Sequence, residues 1–485
     1  MTGDFRVTLA IIALLILGTL LFGTLGARHA AKKATAQEYM VGGRSFGALF
    51  LWLLLAGEIY TSFTFLGAAG LAYGEGAPAL YILCYPTVAY IISYFLLPPV
   101  WRAAKRRNLL TGPDFLESHY RSKALGICVA MIGFLFLVPY VTLQMRGIEI
   151  LLHIAGYASI NSTVAVTIAF VLIAIFVYIA GLRGIAWAAI IKDSMVLLGV
   201  VFAGIVIPIH FFGSPAHLIH KLLEVHPGWL SLKAGTGEHG TVWFVTTVIL
   251  TSLGFYMWPD SMAAIYSAKS EDTLRRNAMY LPAYQLMLLL IYFAGFTALL
   301  VLPGLTGPAA DQSFMLVVQK YYPPWVLGLL AGAGALAGLI PASAQVLGAA
   351  SIFTKNILGD WLGLVKSDHV RTHATRIMVL VVSGLALLYW WLVPSTMVGL
   401  NLIAYEGVTQ FFPGIVFALV WRRASAAGVM AGILSGLLFL IVLFGTQHES
   451  IAGINAGFFA LVINVVVCIG VSLFNKTLRP LETAD

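Results

Sequence analysis

A chain of 485 residues that is 60% hydrophobic and only 10% charged, with a mean hydropathy of +0.93, is excluded from the ordinary water-soluble classes. The net charge of +8 does not point to nucleic acid, because most of the 28 Lys and Arg fall in short loops between long apolar runs, predominantly on one side. Cys84, Cys128 and Cys468 lie apart in apolar segments, without metal or redox spacing, and are expected to be buried and inert.

Val7–Leu25 is the first expected span, an uncleaved helix rather than a signal peptide. Arg28, Lys32 and Lys33 follow it and hold that end in the cytoplasm, so the N-terminus is expected outside. Phe50–Leu71 comes next, apolar enough to span a bilayer yet carrying Glu58 near its middle. An ionised side chain at that depth costs roughly 2.5–3.5 kcal/mol on insertion scales, so it is expected to face a partner or a cavity. The flanking Ala56-Gly57 and Tyr60-Thr61-Ser62 suit a helix that loosens midway, its freed carbonyls lining a polar site. The plainer alternative is a carboxyl hydrogen-bonded to a neighbouring helix.

An outer loop at Tyr73-Gly74-Glu75-Gly76 leads to a return span, Ala79–Trp101, and a basic inner loop containing Arg102, Lys105, Arg106, Arg107, Arg121 and Lys123. Gly126–Ile154 carries Pro139, Gln144, Arg146 and Glu149. Thr163–Ala180 returns inward to Arg183, and Ile185–Phe211 runs out again with Lys192-Asp193 near its start. Phe212–His239, with His217, His220, His226 and His239, reads as a solvated outer loop in preference to a metal or pH-sensing site. Thr241–Tyr266 is interrupted by Trp258-Pro259-Asp260, and Tyr280–Leu302 follows a charged inner loop. Pro324–Ile352 is rich in small residues, as close helix packing in lipid requires. Thr375–Val393, Val398–Val420, Gly428–Leu443 and Ile454–Phe474 complete about thirteen spans, with Arg422, Arg423, Lys476 and Arg479 inside.

The two interrupted spans lie about 200 residues apart and each opens a set of five, Phe50–Phe211 and Thr241–Val420. Five is odd, so the sets have opposite orientation, the pattern of a transporter core with its site at midplane. The chain therefore divides into an accessory helix and loop (1–45), a first five-helix repeat (46–212), an outer loop (213–240), a second repeat (241–421), and two accessory helices with a tail (422–485).

The stretches Val41–Thr64, Pro139–Gly147, Ala180–Asp193, Arg275–Tyr284 and Gly338–Asn356 carry a resemblance to the sodium/solute symporter family, most of all its bacterial monocarboxylate permease branch. The resemblance implies an all-α, LeuT-like five-plus-five inverted repeat with broken first and sixth core helices, in the bacterial cytoplasmic membrane with the C-terminus inside. It also implies a sodium ion between the first broken helix and the eighth core helix, held by the carbonyls of Ala56, Ile59 and Ala337. The family's two hydroxyl ligands fall here at Ile340 and Pro341, which have no side-chain oxygen. Sodium is a hard cation that needs oxygens, so this cage is degenerate unless Ser343 replaces them.

Glu58 falls where many relatives place an aspartate beside the ion, and low dielectric favours a neutral carboxyl. Coupling to H+ bound at Glu58 is therefore expected, with Asp260 a second proton site or a gate, Na+ as the alternative coupling ion, and no other cofactor or metal. By the same resemblance the solute meets Tyr60, Thr61, Gln144, Thr251 and Phe255. Arg146 is the candidate for a substrate carboxylate, although Glu149 at i+3 favours an internal pair. No role attaches to Glu406. The expected function is import of a small monocarboxylate or amino acid by alternating access, with the lipid bilayer and the solute as partners. A sensor would append a soluble domain. An intramembrane enzyme would need a set such as HExxH or paired Asp, and neither pattern is read.

Overall fold

The computed structural model describes residues 2–30, 35–156, 162–236, 239–393, 397–446 and 450–475. Lys32, Lys33, Lys476 and Arg479 lie outside the described residues. Among the described residues the regular structure is helical apart from one small hairpin pairing Ser450–Ile451 with Ile454–Asn455. Its principal helices are α1 (Thr2–Ala30), α2 (Ala48–Gly57), α3 (Phe63–Gly74), α4 (Tyr81–Arg106), α5 (Gly112–Tyr120), α6 (Lys123–Ile154) and α7 (Thr163–Phe212). They continue with α8 (Thr241–Gly254), α9 (Pro259–Ser267), α10 (Glu271–Val301), α11 (Pro324–Trp361), α12 (Asp368–Leu392), α13 (Met397–Val420), α14 (Ala426–Gly445) and α15 (Ala456–Leu473).

Among the described residues ten helices are long and apolar enough to cross a membrane, and α8 with α9, bent by 49° at their junction, makes an eleventh span. Two more crossings are hidden by local geometry. The Phe50–Leu71 span is realised as the short pair α2 and α3. Within α7, Gly181 takes φ 58°, a left-handed value that glycine adopts without Cβ strain, and the chain turns back on itself there. Phe176 and Ala188, on either side of the turn, both lie against Gly23 of α1. The architecture is thus compatible with the thirteen spans expected from sequence.

Apolar side chains that face outward, among them Leu17 and Leu21 of α1, Phe95 of α4 and Leu438 of α14, form the lipid-facing surface. Cys468 is buried as expected, whereas Cys84 and Cys128 are only half-buried on helices that border lipid. The small-residue helix α11 is almost wholly enclosed, packed by α1, α6 and α7. Its glycines permit this: a Cβ on Gly338 would sit 3.1 Å from the Gln144 carbonyl of α6.

On the basic face, the start of α2 is tied to the end of α9. Phe46 N–H donates to the Ser267 carbonyl (2.9 Å) and Lys269 N–H to the Phe46 carbonyl (2.9 Å), a parallel bridge. Trp101 Nε1 donates to the Ala268 carbonyl (3.0 Å), the Arg44 guanidinium to the Leu109 carbonyl, and Arg102 grips Glu271 through two bonds of 2.8 and 2.9 Å. Lys355 bridges Asp114 (2.6 Å) and Asp360 (2.7 Å), joining α5 to the end of α11. The histidines after α7 do not converge. His217 and His220 are exposed, His226 packs on Trp229, and His239 Nδ1 pairs with Glu75 (3.1 Å), holding that carboxyl below its ordinary value.

On the opposite face, Asp311 lies in a short turn, Gly307–Gln312, wedged over α3. A Cβ on Gly70 would sit 2.7 Å from Asp311 Cα, and Met397 N–H at the start of α13 reaches Asp311 Oδ2 at 3.5 Å. Burial pushes this carboxyl up to about 7. An acid with a raised folded value holds its proton more tightly folded than unfolded. Its stabilising contribution is therefore complete below about 4 and is lost as pH rises through about 7. Thermal unfolding of the purified protein is expected to fall across that window, and Asp311→Asn is expected to flatten the fall. An unchanged pH profile in the variant would refute the assignment.

Packing at the first break makes a second prediction. A Cβ on Gly147 of α6 would lie 2.3 Å from Ser62 Cβ. Gly147→Ala is expected to destabilise by about 1–3 kcal/mol through overpacking, read as a lower melting temperature.

Candidate functional site

The polar centre is built where α2 and α3 fail to join. The helix stops at Gly57, Glu58 takes the capping position, and residues 58–61 run unwound before helix restarts at Ser62 and continues as a π-helical turn from Phe63. Backbone groups freed inside a membrane must find partners within the protein. The local threonines supply them. Thr61 N–H donates to Thr64 Oγ1 (2.8 Å), Phe63 N–H to Thr61 Oγ1 (3.2 Å), and the Thr64 hydroxyl to the Ile59 carbonyl (2.6 Å). The second break answers it. Proline at the first position of α9 removes a donor, Trp258 is extended before it, and Asp260 and Ser261 lie in the first turn.

These two breaks meet through one side-chain contact, in which the Ser261 hydroxyl donates to Glu58 Oε2. Asp260, next along α9, is buried against α11, where Gly348 allows its backbone to approach. Among the described residues its Oδ1 has no hydrogen-bond partner. A third helix contributes Lys192, fully buried on the second arm of α7. Its ammonium donates to the Gly57 carbonyl (3.1 Å) and to Asp193 Oδ1 (2.8 Å). The breaks thus carry the Glu58 and Asp260 carboxyls on α2–α3 and α9, and the Lys192–Asp193 pair on α7 touches the first of them through the Gly57 carbonyl.

The expected ion positions are occupied differently from a sodium cage. The Ala56 carbonyl already accepts from the N–H groups of Ile59 (3.0 Å) and Tyr60 (3.2 Å), and the Ile59 carbonyl accepts the Thr64 hydroxyl. Ala337, Ile340 and Pro341 are buried in α11, and the last two offer no side-chain oxygen. Ser343, the possible substitute, donates back to Leu339 of its own helix (2.8 Å).

The expected solute positions surround the same breaks. Tyr60 donates its hydroxyl to the Tyr284 carbonyl (3.0 Å) with the two rings 4.5 Å apart, and Thr61 caps the unwound segment. Gln144 accepts the Ser62 hydroxyl at Oε1 (2.7 Å), while its Nε2 has no partner among the described residues. Thr251 bonds back to Thr247 (2.6 Å), and Phe255 packs edge-on to Tyr90. Arg146 forms the internal pair with Glu149 (3.0 Å) and also donates to the Trp390 carbonyl of α12 (3.0 Å), where its guanidinium lies over the Trp390 ring. Glu406 packs against α15 at Gly457.

Sequence reading missed the aromatic wall beside the second break. Tyr140 stacks on Trp258 at 4.2 Å, and Tyr405 stands perpendicular to Trp258 at 5.2 Å and faces Tyr85 at 5.6 Å. It also missed Ser261 as the partner of Glu58 and the bond from Lys192 to the Gly57 carbonyl. An intramembrane Lys beside an Asp was the available signal, because such a charge needs a nearby counterpart.

Comparison with known proteins agrees with this geometry. A model of the sodium:solute symporter family matches residues 39–436. The chain is 37% identical to an uncharacterised symporter, YhjB, of Bacillus subtilis (strain 168), over 96% of this chain and 97% of that one. It is 29% identical to a monocarboxylate transport permease protein of Rhizobium johnstonii, over 82% and 80% of the two chains. Its fold matches that of a Na+-coupled sialic acid symporter solved in a substrate-bound outward-open state, with a TM-score of 0.82 at 17% identity over 98% and 99% of the chains. The fold is therefore LeuT-like, the family and its structural neighbours are transporters and not enzymes, and the chain belongs to the sodium:solute symporter family.

Proposed function

We propose that this membrane protein imports a small monocarboxylate or amino acid by alternating access, driven by an inward proton gradient, with Glu58 as the proton site. The Glu58–Ser261 bond carries the reading, because it joins the two broken helices through a group that can gain or lose a proton. A proton there changes the charge at the contact between the breaks, and so favours one arrangement of the two helices over the other, as coupling requires. Lys192 is already paired with Asp193, so Glu58 and the buried Asp260 have no cation bonded to them among the described residues, and a proton is the smallest counter-charge available. Asp260 is the second proton site or gate.

The solute meets hydroxyl, amide and aromatic groups at Tyr60, Thr61, Gln144, Thr251 and Phe255, a lining that suits a short organic acid or amino acid better than a sugar, which recruits several amides and carboxylates. Arg146 anchors α6 to α12, and the solute carboxylate is met by neutral donors such as Gln144 Nε2. The excess of Lys and Arg on one face puts that face, and the C-terminus, in the bacterial cytoplasm, with the N-terminus outside. Likeness to a Na+-coupled sialic acid symporter favours a second reading, sodium coupling through a rearranged cage.

Uptake of labelled lactate, pyruvate and alanine into proteoliposomes separates the two. An inward proton gradient without sodium is expected to drive accumulation of one of them, and Glu58→Gln is expected to reduce uphill uptake to equilibration. Accumulation driven by sodium at equal pH on both sides, and indifferent to the proton gradient, would overturn the proton reading.

A companion prediction concerns Arg146. Arg146→Lys is expected to lower thermal stability while leaving the apparent affinity for the transported solute unchanged, because the guanidinium braces α12 and does not hold the solute. A large rise in the KM of uptake would reverse that assignment.

A further inference from the structure

The first break has a negative end that something must neutralise. The last carbonyls of α2 have lost their helical partners and carry the negative end of the helix dipole into an apolar interior. At the Ala56 and Ile59 carbonyls the answer is local, from N–H groups and the Thr64 hydroxyl. At Gly57 it is an ammonium from a different helix, fully enclosed and backed by Asp193. Asp193 Oδ2 has no hydrogen-bond partner among the described residues, so the carboxylate is directed at this cation with an oxygen to spare.

From this arrangement we propose that Lys192 is a tethered cation, which fills with the chain's own side chain the seat where a free monovalent cation would brace the first break. The inference rests on the symport reading, and it adds the residue that sets ion specificity. Nothing in it depends on a change of protonation. An ammonium is compact, carries three donors, and at 2.8–3.1 Å from a carboxylate and a carbonyl does the work of a small coordinated ion. With Ile340 and Pro341 contributing no oxygen and Ser343 turned back on Leu339, α11 offers no free side-chain ligand at these positions, while α7 offers a cation. A purely structural Lys–Asp pair would hold α7 against α2 in the same way, but its removal would not create a cation site.

Radiolabelled sodium binding to the purified protein, with no gradient and no solute, distinguishes these roles. The parent protein is expected to bind no sodium saturably, and sodium replacing choline at constant ionic strength is expected to leave its melting temperature unchanged. Truncation in Lys192→Ala leaves Asp193 and the Gly57 carbonyl around a vacated space. The variant is expected to gain saturable binding of one sodium per chain and to be stabilised by sodium or methylammonium. Should Lys192→Ala fail to fold, Lys192→Gln, which is one atom shorter than lysine and uncharged, carries the same expectation. Saturable sodium binding by the parent, or none by a folded variant, would overturn the proposal. Proton-driven uptake is read in a different assay, so the proton reading can fail while this inference stands, and the reverse.

Discussion

Everything near the middle of this protein follows from one constraint, that a backbone interrupted inside a bilayer has no water to satisfy it. The interruption at residues 58–61 exposes carbonyls and amides that must be met from within the protein. Threonines at 61 and 64 close the segment on itself, Lys192 of α7 meets the Gly57 carbonyl, and Ser261 of α9 meets the carboxyl of Glu58. The glycines of α6 and α11 serve the same end, because Gly147 and Gly338 allow backbones to come close enough for short polar side chains to reach. Rigidity around the break and polarity within it are consequences of a single deficit.

Much of this was legible in the sequence, for physical reasons that differ by element. Long apolar runs are unambiguous because a bilayer demands them, and the basic loops identify a common face. The breaks at Gly57–Ser62 and Trp258–Pro259 were legible because polar residues and proline inside an apolar run have few other uses. The turn at Gly181 was also marked, by Arg183 interrupting the run. Lateral pairings were not legible. Nothing in the local pattern says that Ser261 faces Glu58, that Lys192 reaches Gly57, or that Tyr140 stacks on Trp258, because each joins residues far apart in sequence through a packing angle. Arg146 lay between the two cases, since Glu149 at i+3 was visible and the Trp390 carbonyl was not.

The electrostatics of the core have a related logic. At the breaks, Lys192 and Asp193 are adjacent on one helix and Glu58 and Asp260 stand on the two broken ones, while the buried Glu406 and Asp311 lie apart on other elements. Elsewhere, cations are drawn to the rim, where Arg102, Arg183 and Lys355 are paired with carboxylates and partly open to solvent. Pairs at the rim can be remade during movement at little cost, whereas the central group cannot be opened without a compensating ligand.

The parallel bridge of Phe46 with Ala268 carries a different consequence. It links the leading end of one broken helix to the trailing end of the other. A movement that parted these two ends would have to break both bonds of the bridge. The fastenings beside it at Trp101, Arg44 and Arg102 add to the bonds that any opening on the basic side must give up.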